Sequence, residues 1–357
     1  MILIFFLTIV FLLIVVINCL GNQRPDVLLN RDATDEIKGV FAIGIMISHI
    51  ATHMVIVPDS YVEKIFYYGL CFLGTAAVGV FFFFSGYANY LSIKNKNKIE
   101  RVYWLSKQLT KVLITLFVCI VTVAVFLSLL GKPMMLFQLF CDYITLTMPY
   151  TTTWYLKIQV LLYLMLFASS FLKEKFQIVT LIIMSVIYII VMIQCGFDDY
   201  WWNTILCFPA GALFGHCSKI TNTVSTLYRG NNLLNKCCLM LSVLFLYMLN
   251  TIALRKNPLL EIILCIILTL MIVVVMCLLN SDLEIFRRIG KYSFELYLVH
   301  ITLVSTLIGK YVIAKDIIVF ALLSVCGAFI SHHVAVKLLH FVMNKAEPVI
   351  RDIKNEE

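Results

Sequence analysis

The chain has little charge. Asp, Glu, Lys and Arg make up only 13% of its 357 residues, hydrophobic residues make up 62%, and the mean hydropathy is +0.97. Soluble domains carry roughly a quarter charged residues, so a water-soluble globule is excluded. Proline is also scarce. There are seven, and only Pro209 falls well inside an apolar run, so little breaks the helices that such runs form. The twelve cysteines make no CxxC pair and no metal-finger spacing, which excludes a disulfide framework and a zinc module. Most of them (Cys71, Cys119, Cys265, Cys277 and Cys326 among others) lie in apolar runs, where a thiol behaves as a small hydrophobe. No metal is expected.

What the chain does have is a series of apolar runs, several of which reach the roughly 20 residues that a helix needs to cross a hydrocarbon core. "LLEIILCIILTLMIVVVMCLL" (259–279) is the clearest. Backbone groups in lipid must bond within their own segment, so helices are expected. The reading is an all-α, polytopic membrane helix bundle of about eleven spans. These fall at 1–20, 37–57, 66–90, 109–130, 154–172, 176–195, 202–217, 237–254, 259–279, 292–309 and 316–341. Residues 1–20 lack a charged leading segment and a small-residue cleavage site, so they read as a retained span.

The connections alternate in basic residues. "KNKNKIERVYWLSKQLTK" (94–111) and the segments around Arg287, Arg288 and Lys345 are rich in Lys and Arg, whereas those around Lys64, Lys132 and Lys256 are poor. By the positive-inside rule the rich set faces the cytoplasm, which puts the N-terminus outside, the C-terminus inside and the protein in the cell membrane. The net charge of +8 needs no nucleic acid to explain it, because insertion bias and anionic headgroups suffice.

One span is unusual. "IKGVFAIGIMISHIATH" (37–53) carries Lys38, His49 and His53. Eleven positions return a helix nearly to its starting azimuth, so Lys38 and His49 share a face about 16 Å apart along the axis, with His53 one turn further. Ionisable side chains inside spans are costly and mark functional sites by default. An imidazole there suits proton transfer, metal or haem ligation, or substrate binding. For Lys38 the plain alternatives are a charge pair with Asp35 or snorkelling into headgroups.

Four segments resemble one family. "DEIKGVFAIGIMISHI" is similar to the first core helix of the acyltransferase-3 family, "GVFFFFSGYANYL" (79–91) to its Phe-rich run before a basic cytoplasmic loop, "TTWYLKIQVLLYLMLF" (152–167) to a "WFL" helix start, and "IGKYSFELYLVHITLV" (289–304) to its Ser/Tyr/Leu/His ending. They occur in the family's order. The resemblance implies a ten-helix membrane domain at 32–343, preceded by an extra helix and linker at 1–31 and followed by a cytoplasmic tail at 344–357. Lys38 stands where the family usually has arginine, and Arg101 stands without the family's second loop arginine.

The resemblance further implies transfer of an acyl group, most often acetyl, from cytoplasmic acetyl-CoA to a hydroxyl of a cell-surface glycan or lipid-linked sugar. His49 is then the catalytic base, and Lys38 and Arg101 hold the coenzyme phosphates. His53, Ser85, Asn89, Trp154 and His300 are expected at the acceptor. The outer loop "GFDDYWWN" (196–203) mixes carboxylates with aromatics, as carbohydrate sites do. A multi-span transporter or flippase is the competing class; broken helices and inverted repeats would mark it. A haem carrier using His49 and His300 is a second competitor.

Overall fold

The computed structural model describes residues 31–53, 60–151, 153–217, 242, 243, 245, 247, 257–279, 284–308 and 314–356. The spans expected at 1–20 and 237–254 lie outside these, apart from a few residues of the second. Among the described residues all regular structure is helical. The helices are α1 (Arg31–His53), α2 (Tyr61–Ile93), α3 (Lys98–Leu129), α4 (Leu136–Ile144), α5 (Trp154–Ser170), α6 (Glu174–Gln194), α7 (Cys207–His216), α8 (Pro258–Leu279), α9 (Glu284–Lys291), α10 (Ser293–Leu307) and α11 (Ala314–Glu356), with a short 3-10 turn at Asp199–Trp201. Among the described residues five segments are long and apolar enough to cross a membrane: Tyr67–Ile93, Lys98–Leu129, Glu174–Gln194, Pro258–Val275 and Lys315–Lys345.

Side-chain caps start several of these helices. Ser60 and Glu63 bond reciprocally to each other's backbone N–H at the head of α2, and Asn97 and Glu100 do the same at the head of α3. Asn257 accepts from the N–H groups of Leu259 and Leu260, with Pro258 in the first position of α8. The Asn97 box corrects one expectation. The basic run from Lys98 onward is not a loop but the first turns of α3, so its cations ride on a helix.

Three other expectations shift. The segment between the spans read at 109–130 and 154–172 contains α4, which exposes Leu136, Phe137, Phe140 and Ile144 while burying Asp142. That is the polarity of a helix facing hydrocarbon rather than water. The span expected at 202–217 is helical only from Cys207 to His216. Finally, α11 runs on through residues read as a tail.

The chain forms two compact units, Met1–Leu91 with Ile182–Lys291, and Ser92–Leu181 with Tyr292–Glu357. In the first, α1 packs on α9 and α2 on α7 at points where backbones touch. A Cβ on Gly39 would strike the Phe286 carbonyl, and one on Gly290 would strike that of Asp35. Gly86 and Gly211 make the same reciprocal joint against Phe208 and Phe83. Small residues let membrane helices approach this closely, and Cα–H groups then meet carbonyl oxygens. In the second unit α3, α10 and α11 pack together. Ser331 donates to Thr122 (3.0 Å), Thr302 to the Pro149 carbonyl (2.9 Å), and Lys132 to that of Thr306 (2.9 Å).

Candidate active site

Of the residues expected at the site, Lys38, His49, His53, Ser85 and Asn89 belong to the first unit, and Arg101, Trp154 and His300 to the second.

Lys38 is committed to a charge pair. Its Nζ lies 3.0 Å from Asp35 Oδ1, and the Asp35 side chain is buried, with Arg31 4.0 Å from its other oxygen. Arg287 on α9 reaches Asp32 at 3.6 Å, so this end of α1 is fastened by charge as well as by Gly39 and Gly290. Of the two plain alternatives for Lys38, the pair with Asp35 is the one the fold uses.

His49 is half-buried on the far half of α1. Its carbonyl accepts from Thr52 Oγ1 (3.1 Å) and lies 2.9 Å from His53 Nδ1. A carbonyl only accepts, so His53 Nδ1 is the donor in this contact. One residue before His49, Ser48 donates to the Cys71 carbonyl of α2 (2.9 Å), which fixes the register of the two helices at that depth.

Ser85 and Asn89 bond to each other. Asn89 Nδ2 donates to the Ser85 carbonyl (2.8 Å) and hydroxyl (3.2 Å) within α2. The neighbouring Gly86 belongs to the backbone joint with α7, so helix packing accounts for the small residues interrupting the Phe-rich run. At the end of the same helix, buried Tyr90 meets His216 Nδ1 at 2.7 Å, a pair the sequence reading missed.

In the second unit Arg101 donates to the Ser170 carbonyl at the C-terminal end of α5, and its guanidinium lies 5.7 Å from the Phe171 ring centre. Cations are favoured at a helix C-terminus, so Arg101 has a structural task there. Trp154 opens α5 and packs edge-on to Tyr155, whose ring centre lies 5.1 Å from that of Tyr297 on α10. His300 is fully buried. Its Nδ1 donates to the Leu296 carbonyl (2.7 Å). Glu295, one turn earlier than Val299 on α10, pairs with His332 Nδ1 at 3.0 Å. The two residues lie 37 positions apart, a separation that no local pattern in the chain joins.

The loop at 196–203 is held by side-chain hydrogen bonds. Tyr200 donates to Asp198 (3.0 Å), Trp202 to the Phe197 carbonyl (3.3 Å), and Tyr188 to that of Trp201 (3.2 Å). Burial, reinforced by the Asp198 carboxylate, raises the Tyr200 hydroxyl above its usual pKa. Beneath the loop, buried Asn203 donates to Glu261 on α8 (2.9 Å). No cluster of metal-ligating side chains exists among the described residues.

Long apolar helices among the described residues define the class: a membrane protein. The "Acyltransferase domain" family model matches residues 32–333, and the chain belongs to the acyltransferase-3 family. Acyl transfer is therefore its general activity. No curated protein and no solved structure matches it.

Proposed function

We propose that the protein is a membrane O-acyltransferase that moves an acetyl group from cytoplasmic acetyl-CoA to a hydroxyl of a cell-surface glycan or lipid-linked sugar. The observation that carries this reading is His49, a half-buried imidazole on α1 inside the family-matched region. In the proposed reaction the acceptor oxygen attacks the thioester carbonyl while the His49 imidazole takes the hydroxyl proton. The tetrahedral intermediate then expels the coenzyme thiolate, which receives that proton from the imidazolium. The ester product and the free thiol balance the atoms.

Lys38 and Arg101 are the proposed cations for the coenzyme phosphates, each acting beyond its bond to Asp35 or Ser170. An ammonium already paired with a carboxylate contributes less net charge to a phosphate, so the remaining lysines near the start of α3 share the task. His53, Ser85, Asn89, Trp154 and His300 are the proposed acceptor contacts. Of these, His53 is nearest to the base along the chain, one turn further on α1.

The test is acetyl-CoA binding and slow hydrolysis by purified protein, wild type beside His49→Ala. Binding in both, with turnover lowered about 10²- to 10⁴-fold in the variant, is the expected result. A folded wild-type protein that binds no acetyl-CoA would reject acyl transfer from this donor and leave the transporter class in front.

A further inference from the structure

Between α7 and α8 the first unit buries a row of polar side chains: Asn203 and Thr204 before α7, Cys207 on it, and Glu261, Cys265 and Thr269 at every fourth position of α8. Cys207 donates to Thr269 (3.4 Å), and a Cβ on Gly79 of α2 would meet both. The inner end of the row is thus satisfied. The outer end is not. Asn203 is 3% exposed and its Nδ2 is taken by Glu261, which fixes the amide orientation and leaves Oδ1 buried with no partner among the described residues. The Thr204 hydroxyl, in a residue 1% exposed, also has none. Two adjacent buried orphans are rare in a folded protein and call for a missing partner.

The contacts also give the depth of this place. Asn203 meets Glu261 and Cys207 meets Thr269, so α7 and α8 run in the same sense. Gly79 lies at Cys207, and Gly215 at Tyr87 and Leu91, so α2 shares that sense. Glu261 is eight residues before Thr269, about 12 Å along the axis. Eight residues before Gly79 is Cys71, whose carbonyl holds Ser48 beside His49. The orphaned atoms are therefore level with the imidazole.

We infer that Asn203, Thr204 and Glu261 form the acceptor subsite, which takes a neutral, hydroxyl-rich ligand such as a sugar ring. Its chemistry is that of a polyol: an amide oxygen and a carboxylate accept from ligand hydroxyls, and the threonine hydroxyl both gives and accepts. The carboxylate disfavours an anion. Tyr200 and Trp201 in the loop above supply the aromatic surface on which sugars rest. This inference rests on the acyl-transfer reading for its reaction but not for its binding.

The test has two arms. In protein carrying Cys195→Ser, Thr204→Cys is exposed to a membrane-impermeant trimethylammonium methanethiosulfonate from the outer side, with and without glycan extracted from the producing cell's envelope. Modification faster than that of the parent's remaining thiols, and slowed by the glycan, is expected. A folded variant that does not react, or whose reaction the glycan leaves unchanged, overturns the subsite. The second arm is Asn203→Leu. Acetyl transfer to the envelope glycan should fall about tenfold or more, the worth of one or two hydrogen bonds, while acetyl-CoA hydrolysis stays within about twofold. Loss of both activities in parallel, or of neither, overturns it. The labelling arm needs no catalysis, so glycan protection in a protein without acetyl-CoA turnover would reject the acyl-transfer reading alone.

Discussion

In the first unit, helices meet backbone to backbone at Gly39 with Gly290 and at Gly86 with Gly211, beside side-chain bonds such as Ser48 to the Cys71 carbonyl, whereas the contacts described in the second are made through side chains, Ser331 on Thr122, His332 on Glu295 and Thr302 on the Pro149 carbonyl. The contrast has a physical consequence. A backbone joint has no rotamer to adjust and tolerates no added atom, but it uses no polar side chain. A side-chain joint yields by rotation but places polar groups in hydrocarbon, where each must keep its partner. Where polar atoms of the first unit are left over, as at Asn203 Oδ1 and the Thr204 hydroxyl, the backbone joints do not consume them.

The largest expected effect breaks the first kind of joint. Gly86→Ala drives a methyl into the Phe208 carbonyl, which belongs to a helix and cannot rotate away, and should cost about 3 kcal/mol or more. The same substitution at Gly327 of the second unit meets only the side chains of Phe126 and Val299, which can shift, and should cost about 1 kcal/mol. Thermal unfolding of the two variants in detergent compares them directly. Equal losses would erase the distinction between the units.

Next comes the ion pair. Glu295→Leu leaves His332 without its carboxylate and should destabilise by about 3 kcal/mol, with much of this recovered when His332→Phe is added. A double-mutant cycle with no coupling would show that the pair does not join α10 to α11. Thr302→Val, which strips one donor from the Pro149 carbonyl, should cost about 1 kcal/mol in the same assay.

The smallest effect concerns Asp142 on α4. Burial raises its carboxyl above the usual 3.8, only partly offset by hydrogen bonds from Gln138 and Thr147. A carboxyl whose folded pKa exceeds its unfolded one binds its proton more tightly in the fold. Its contribution to stability is therefore lost as pH rises through the window between the two values. Asp142→Asn should raise the unfolding temperature at neutral pH by an amount worth less than about 1 kcal/mol. The gain should vanish as the pH falls below the ordinary carboxylate range.

Much of this architecture was legible in the chain. Apolar length located the helices at 61–93, 154–170, 174–194 and 258–279 to within a few residues, because the requirement for internal backbone bonding leaves no other form in lipid. The caps were visible too: "SYVE" and "NKIE" are S/N-x-x-E patterns, and weighing the second would have moved the start of α3 back to Lys98. The hydropathy window missed α4 because nine residues are too few to span. For Lys38 the short-range pattern already contained its partner, since Asp35 sits three positions away on the same helix.

The sequence by itself determined that this is a helical membrane protein of the acyltransferase-3 family with an imidazole inside its first family helix, because hydropathy, caps and motif spacing are local properties of a chain. The tertiary structure alone decided which glycines are joints, that Glu295 finds His332, and that Asn203 and Glu261, 58 positions apart, meet. Those are contacts between helices distant along the chain. Their existence depends on rotation and register that no single segment encodes.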